Sequence, residues 1–276
     1  MGDFVHAAKR GRVLEIVMDR PPANAINRQF SMEMYEALSW LKDDDDLRVG
    51  LVTATGERIF SAGWDLKEIA SGSGSNADAL ASADDLEGGF AGIVEFWDLK
   101  KPVIGAINGV AVGGGFEIAL ACDLLVAADH VEFFLPEMQR GFLPDAGAIQ
   151  RLPRRIPYNV AMDLFLTGRR MGAAEAKHLG LVRDVVPRQQ LLDHARALAA
   201  EIADGAPLAL QALKEALGAM MHLPLPESFE VTRRAIQAGG SGDSGLPTYE
   251  RMLFSDDFME GARAFAEKRK PEFKGS

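Results

Sequence analysis

Residues 113 to 115 are three consecutive glycines, and they stand directly before an apolar run that contains one acidic side chain, Glu117. Glycine has no Cβ, so a ligand can approach the main chain closely at such a turn. If a helix begins there, its first N–H groups have no partner within the helix, and the positive end of the helix dipole lies behind them. The sequence therefore predicts a main-chain site for a negatively charged oxygen, with a carboxyl group within reach of it.

The same segment also permits a structural interpretation. A glycine triplet is typical of a tight packing turn, and Glu117 could simply cap the helix that follows. A dinucleotide site is disfavoured, because the segment lacks G-x-G-x-x-G and lies outside the first strand–helix unit. A carboxylate that is buried without a partner costs on the order of several kcal/mol, which favours a use for Glu117 or a partner elsewhere in the chain.

Strand-like and helix-like segments alternate along the first half of the chain. β-branched runs at residues 13 to 19 and 48 to 54 flank a segment with helical periodicity, and further strands are predicted at residues 102 to 109, 123 to 129 and 131 to 136. This alternation is typical of an α/β domain. From about Pro153 the segments have the periodicity of helices. We expect a core over residues 1–200 and a helical oligomerisation region over residues 201–276.

The composition limits the possible partners. With 40 acidic and 30 basic residues, the formal net charge is −10, which disfavours a nucleic-acid surface because phosphate binding needs a basic stripe. The five histidines are scattered and Cys122 is the single cysteine, so we expect no metal site and no intramolecular disulfide. We see no membrane span and no export signal, and therefore expect a cytoplasmic protein with no membrane partner.

Residues 71 to 89 are rich in Ser, Gly, Ala and Asp and contain few large apolar side chains. Such a segment buries little surface to offset its ordering entropy, so we expect a mobile loop. Its position after "FSAGWDLKEIA" favours a cover over a binding site, and a merely tolerated insertion explains it equally well.

Five motifs occur in order along nearly the whole chain: "RPPANAIN", F-S-A-G-x-D-L, G-G-G-x-E-x-A, P-E followed by P-x-A-G, and "EGARAFAEKRKPEFKG". Together they resemble the crotonase superfamily, the enoyl-CoA hydratase/isomerase family. The resemblance implies an α/β fold, a crotonase-like spiral of β-β-α units with a C-terminal helical trimerisation region, in a trimer or a dimer of trimers. It also implies an acyl-CoA thioester substrate and no separate cofactor, since coenzyme A is part of the substrate.

The resemblance implies a role for each residue of the reaction centre. The backbone N–H groups of Trp64 and Gly114 form the oxyanion hole for the thioester carbonyl. Glu117 and Glu137 match the two acids of a hydratase, which adds or removes water on one face of a short 2-enoyl-CoA. Glu117 deprotonates water and protonated Glu137 delivers a proton to the α-carbon, and the roles reverse for dehydration. Which glutamate holds the proton at rest stays open.

The same resemblance implies a coenzyme A pocket. Main-chain carbonyls near Ala25 and Ala62 recognise adenine, and Lys67 lies close to the ribose phosphate. Phe265 and Lys268 from the C-terminal helix of a neighbouring subunit complete the pocket. Local positive charge offsets the repulsion between an acidic protein and an anionic coenzyme. Without its motif, Lys67 would be interpreted as a solvated helix residue.

Three sequence features limit which acyl group the substrate carries within the family. Trp64 stands where fatty-acid hydratases usually have a small residue, and Asp145 stands where they have a glycine in P-G-A-G. The segments "LTGRRMGAAEA" and "AFAEKRKPEFKG" are similar to a subgroup that interconverts L-carnitinyl-CoA and crotonobetainyl-CoA plus water. Because that acyl tail carries a trimethylammonium group, we hypothesise that Asp145, and less directly the Trp64 ring, recognises a cation. Asp145 could instead be a third acid or base, as in dienoyl-CoA isomerases of the family, or accept a hydrogen bond.

Other functions stay open. A general enoyl-CoA hydratase, or an enoyl-CoA isomerase that uses one carboxylate, shares these motifs. A non-catalytic member of the family would bind the acyl-CoA without turnover. An RNA-binding member is disfavoured by the acidic balance of the chain.

Overall fold

The computed structural model describes residues 2–71 and 86–276, and in these ranges ten strands form two sheets. The larger sheet has the strand order β1-β2-β3-β5-β7-β10, and the smaller sheet has the order β4-β6-β8-β9. The strands are β1 Val5–Arg10, β2 Val13–Met18, β3 Val49–Ala54, β4 Ile59–Ser61, β5 Val103–Ile107, β6 Val110–Val112, β7 Leu124–Ala128, β8 Glu132–Phe134, β9 Met171–Gly172 and β10 Asp184–Val186.

The larger sheet forms the centre of the core. Its first two strands make an antiparallel hairpin in which Val5 lies beside Met18, and all its other neighbours are parallel. Every residue of β3 and β5 is buried. Continuous apolar strands of this kind are expected where a parallel sheet is covered on both faces.

In the described ranges, helices cover the sheets, and the elements that follow β10 are all helices. The helices are α1 Arg28–Asp43, α2 Leu66–Ser71, α3 Gly114–Ala121, α4 Ala148–Arg151, α5 Tyr158–Thr167, α6 Ala173–His178, α7 Leu191–Ala203, α8 Pro207–Met220, α9 Leu225–Gln237, α10 Pro247–Leu253 and α11 Asp256–Glu267. Across residues 2–71 and 86–276, no helix is both long enough and apolar enough to cross a membrane.

The smaller sheet positions the candidate site. Its strand β6 pairs in parallel with β4 on one side and with β8 on the other. Because the carboxyl ends of parallel strands meet at one edge of a sheet, the segments that follow these three strands come together there. Those segments contain Trp64, Gly114 and Glu137.

The predicted α/β alternation and the helical C-terminal part are both observed. Two short strands, β9 and β10, interrupt the helical part, where the sequence predicts only helices. Each adds to the edge of an existing sheet, and strands of two and three residues are too short to show a period. The division near residue 200 stays a prediction, and helix α7 runs across that point. The expected mobile loop lies mostly outside the described residues, which omit 72–85.

Candidate active site

Two glycine turns place the Trp64 and Gly114 amides side by side. Gly63 has φ +79 and Gly113 has φ +52, in the left-handed region that favours glycine. A Cβ on Gly63 would lie 2.7 Å from the Gly114 amide nitrogen, so the two turns are in contact. Neither the Trp64 nor the Gly114 amide donates a hydrogen bond to another described residue. Two unpartnered amides at one place can stabilise an oxyanion.

Side chains from the first two sequence motifs stabilise the turn before Trp64. The Ser61 hydroxyl accepts a hydrogen bond from the Gly63 amide at 3.2 Å and donates one to the Asn24 carbonyl at 2.7 Å. The Asn24 side chain donates to the Phe60 carbonyl at 3.1 Å. The "RPPANAIN" and "FSAGWDL" motifs therefore support one structure, although 36 residues separate Asn24 from Phe60.

Glu117 lies in the first turn of α3 and is only 3% exposed. Its Oε1 accepts a hydrogen bond of 3.0 Å from the amide of Ala148, and Ala148 is the first residue of α4. The capping interpretation is thus wrong for its own helix, since the carboxyl group binds the N-terminus of a different one. Burial, with help from the charges of Glu137 and Asp145, raises the pKa of Glu117 to about 8. At neutral pH the free protein therefore holds a proton on Glu117.

Glu137 begins the turn Glu137–Arg140 that follows β8. Its Oε1 lies so close to Gly113 that a Cβ on that glycine would be 2.4 Å away. Its Oε2 is buried and has no hydrogen-bond partner among the residues described. Burial raises the pKa of Glu137 as well, and nearby Arg140 opposes the shift. An orphaned buried carboxyl oxygen is uncommon, and it is the kind of group that a substrate proton can satisfy.

A pocket of about 540 Å³ brings together most of the predicted residues. Six of them line it: Ala62, Trp64, Gly114, Glu117, Glu137 and Asp145. Asp145 is exposed, and its charge contributes to the raised pKa of both glutamates. The described residues contain no group of three His, Cys, Asp or Glu side chains that could hold a metal ion.

Two loops that the sequence does not predict as part of the site complete this pocket. Phe90 and Glu95 come from one loop, and Arg140 and Leu143 come from the other. The Phe90 ring packs on Gly114, where a Cβ would lie 2.6 Å from ring carbons Cε1 and Cζ. It also meets the Trp64 ring edge to face, with centroids 6.3 Å apart and planes at 76°. The sequence signal for Phe90 is its position, because it is the first aromatic residue after the polar segment of residues 71 to 89.

Of the residues predicted to bind coenzyme A, Ala62 lines this pocket and the others lie outside its lining. The Ala25 carbonyl accepts a hydrogen bond from the Arg20 guanidinium at 2.8 Å. Lys67 is exposed in the first turn of α2. Phe265 is 88% exposed near the end of α11, and Lys268 follows that helix with φ +56. The contact of Phe265 and Lys268 with a neighbouring subunit's pocket stays a prediction.

The chain is similar to known proteins over nearly its whole length. Residues 8–276 match the family described as Enoyl-CoA hydratase/isomerase. The chain is 47% identical to the Carnitinyl-CoA dehydratase of Proteus mirabilis (strain HI4320), and the match covers 100% of both chains. It is 45% identical to the Carnitinyl-CoA dehydratase of Escherichia coli O157:H7, again over 100% of both chains.

Solved structures show the same fold. An enoyl-CoA hydratase from Mycobacterium tuberculosis H37Rv superposes with a TM-score of 0.84 at 36% identity, over 99% of each chain. An enoyl-CoA hydratase from Bacillus anthracis superposes with a TM-score of 0.85 at 33% identity, also over 99% of each chain. The predicted crotonase fold is confirmed, and the chain belongs to the enoyl-CoA hydratase/isomerase family, the crotonase superfamily.

Proposed function

We propose that this chain is a hydratase and dehydratase of short 2-enoyl-CoA thioesters, and that its substrate pair is crotonobetainyl-CoA and L-carnitinyl-CoA. The observation that carries the reaction type is the pocket in which the Trp64 and Gly114 amides lie beside two carboxyl groups, those of buried Glu117 and half-buried Glu137. Full-length relatives named Carnitinyl-CoA dehydratase support the choice of acyl group. Coenzyme A enters as part of the substrate, and the reaction needs no separate cofactor.

The two amides stabilise the enolate. In this mechanism the thioester carbonyl oxygen accepts hydrogen bonds from Trp64 and Gly114, and it gains negative charge when the α-proton leaves. One preorganised donor of this kind is worth about 3 kcal/mol of transition-state stabilisation. Main-chain donors suit the task because the glycine turns fix them before the substrate arrives.

The two glutamates move the protons. In dehydration, Glu137 removes the α-proton, and the electron pair passes to the thioester as an enolate. The β-carbon–oxygen bond then breaks, and the hydroxyl leaves as water with the proton of Glu117. The proton that Glu117 holds at neutral pH matches this direction. Hydration needs the opposite arrangement, with ionised Glu117 as the base and protonated Glu137 as the acid.

The rate of dehydration is expected to fall as the pH rises through about 8, because Glu117 then loses the proton that the leaving hydroxyl requires. Its raised pKa sets the sign: the protonated form dominates below about 8 and the ionised form above it. Initial rates with L-carnitinyl-CoA between about pH 6 and pH 10 check this, followed by the appearance of the conjugated thioester absorbance. A dehydration rate that increases through the same range would contradict the assignment.

A panel of substrates tests the function itself. We expect crotonobetainyl-CoA to exceed crotonyl-CoA in kcat/KM by about tenfold or more, which corresponds to about 1.4 kcal/mol of differential binding. A preference for crotonyl-CoA would indicate a general enoyl-CoA hydratase, and turnover of 3-enoyl-CoA alone would indicate an isomerase. Thioester binding without turnover would indicate a non-catalytic member of the family.

We assign Asp145 to recognition of the cationic acyl group. It lines the pocket, is exposed to solvent, and lies close enough to Glu117 and Glu137 to raise the pKa of each. An aspartate at this position gives a positively charged tail an electrostatic partner. A third acid or base is the second interpretation, and it would serve charged and neutral substrates alike.

The proposal extends to the assembly and to the coenzyme pocket. Helices α8 to α11 expose large apolar side chains, which favours their burial in a trimer or a dimer of trimers. These side chains include Leu213, Leu225, Phe229, Ile236, Phe258 and Phe265. In that assembly, Phe265 and Lys268 of one subunit complete the coenzyme A pocket that Ala25, Ala62 and Lys67 begin in its neighbour. The cytoplasm is the proposed compartment.

A further inference from the structure

The loop over residues 86 to 95 holds an acidic side chain at the pocket. The Glu95 amide donates to the Gly88 carbonyl at 2.9 Å, which fixes the main chain at this point. The Glu95 side chain lies against Gly89, where a Cβ would be 2.8 Å from its Cβ and 2.9 Å from its Cγ. Gly89 has φ +69, so both its backbone and its missing side chain make room for Glu95. The loop backbone therefore determines where this carboxylate lies.

Among the described residues, the Glu95 carboxylate accepts no hydrogen bond and forms no close ion pair, and the charge that it interacts with is that of the Arg151 guanidinium. The nearby guanidinium of Arg151 donates instead to the Val94 carbonyl and is not part of the pocket wall. The wall itself contains four carboxyl side chains, those of Glu95, Glu117, Glu137 and Asp145, and one guanidinium, that of Arg140. The proposed reaction uses Glu117 and Glu137, which leaves the role of Glu95 unassigned.

An aromatic pair stands in the same pocket. Trp64 and Phe90 meet edge to face, and Phe90 packs on Gly114, so both rings adjoin the residues of the oxyanion hole. The trimethylammonium of crotonobetaine lies only a few bonds from the thioester carbonyl. A substrate bound at the two amides therefore carries its positive charge close to these rings, whose faces attract cations.

We propose that Glu95, which lines the same pocket as the Trp64 and Phe90 rings, is a second residue, in addition to Asp145, that selects a cationic acyl group. This inference rests on the proposed hydratase function and adds a specificity-determining residue to it. A cationic tail forms an ion pair with the Glu95 carboxylate, and this ion pair offsets the free energy that the carboxylate loses when it gives up water. A neutral tail of the same shape removes water from the carboxylate without providing a partner, so the site discriminates against it.

The test compares two substrates that differ only in charge. Crotonobetainyl-CoA carries the trimethylammonium, and 5,5-dimethylhex-2-enoyl-CoA replaces that nitrogen by carbon. The Glu95→Gln variant is expected to lower kcat/KM for crotonobetainyl-CoA about tenfold, chiefly through KM, because it removes one charge at close range. Its kcat/KM for the neutral isostere is expected to equal or exceed that of the wild type, because glutamine loses its water at a lower cost than an unpaired carboxylate, and this activity also shows that the variant folds.

Glu87→Gln is the matched control. It removes the same charge from the same loop, and Glu87 is exposed as Glu95 is, but Glu87 does not line the pocket. We expect it to leave the ratio of the two kcat/KM values unchanged, because solvent and salt screen a distant charge. An Asp145→Asn variant measured beside it separates the two carboxylates.

The outcomes are distinct. If Glu95→Gln lowers turnover of both substrates equally, or if only Asp145→Asn changes the ratio, Glu95 does not select the acyl group and the hydratase function stands. A wild type that prefers the neutral isostere overturns the inference together with the proposed substrate pair, and the hydratase chemistry stands. If the wild type hydrates neither thioester, the proposed function fails and the inference fails with it.

Discussion

The Glu117→Gln variant is expected to catalyse hydration and dehydration about 10²–10⁴-fold more slowly than the wild type, because a carboxamide can neither remove nor supply the transferred proton. The substitution is nearly isosteric, and the carboxamide oxygen can still accept the Ala148 hydrogen bond that spans 3.0 Å in the wild type. Thioester binding should therefore persist while kcat falls. Stopped-flow absorbance with L-carnitinyl-CoA gives kcat, and direct titration with crotonobetainyl-CoA gives the affinity.

Thermal unfolding separates lost chemistry from lost structure. The pKa of Glu117 rises from 4.5 to about 8 in the folded chain, so folding favours its protonated form. The stability that this contributes is complete below pH 4.5 and is lost as the pH rises through about 8. Glutamine does not ionise, so Glu117→Gln should match the wild type in Tm at about pH 5 and exceed it at about pH 9.

Glu137→Gln provides the second half of the test. Its kcat is expected to fall by a comparable factor, since each direction of the reaction needs both proton transfers. If either glutamine variant kept more than about a tenth of the wild-type kcat, the two-acid mechanism would be wrong. An isomerase that uses one carboxylate would respond to one of the two substitutions and not to the other.

The local part of the site could be predicted from the sequence. Glycines at residues 113 to 115 and an acid three residues into the following helix are a short-range pattern, and the structure places Gly114 and Glu117 in one helical turn. Trp64 and Glu137 were predicted only through resemblance to a family. Their approach depends on three short parallel strands ending at one sheet edge, and strands of three residues leave almost no trace in sequence periodicity.

The part that could not be predicted depends on long-range contacts. Nothing in the sequence pairs the Glu117 carboxyl with the Ala148 amide, which lies 31 residues away. The positions of Phe90 and Glu95 follow from left-handed backbone at neighbouring residues, including Ala91, which has φ +56 although it is not glycine. The Ala91 amide is held by the Ser31 hydroxyl at 3.1 Å, and that contact exists only once α1 has packed beneath the loop.

The Gly63→Ala variant is expected to lower kcat about 10²–10³-fold, the loss typical of removing one oxyanion donor. A Cβ at Gly63 would lie 2.7 Å from both the Gly114 amide nitrogen and the Val112 carbonyl oxygen. Both atoms belong to the main chain, so the alanine can fit only if the two turns move apart. The movement would separate the Trp64 and Gly114 amides, and one oxygen could then no longer contact both.

Gly56→Ala is the control for this variant, because Gly56 has φ +81 and a Cβ there meets nothing within 4 Å. Gly63 has nearly the same angle, φ +79, so both variants acquire similar backbone strain and only Gly63→Ala acquires the clash. We expect Gly56→Ala to lose about 1 kcal/mol of stability and almost no activity. Measurements of kcat, KM and Tm on both variants isolate the effect of the clash. Equal activity in the two variants would show that the contact between these turns does not align the amides, and the oxyanion hole would have to lie elsewhere.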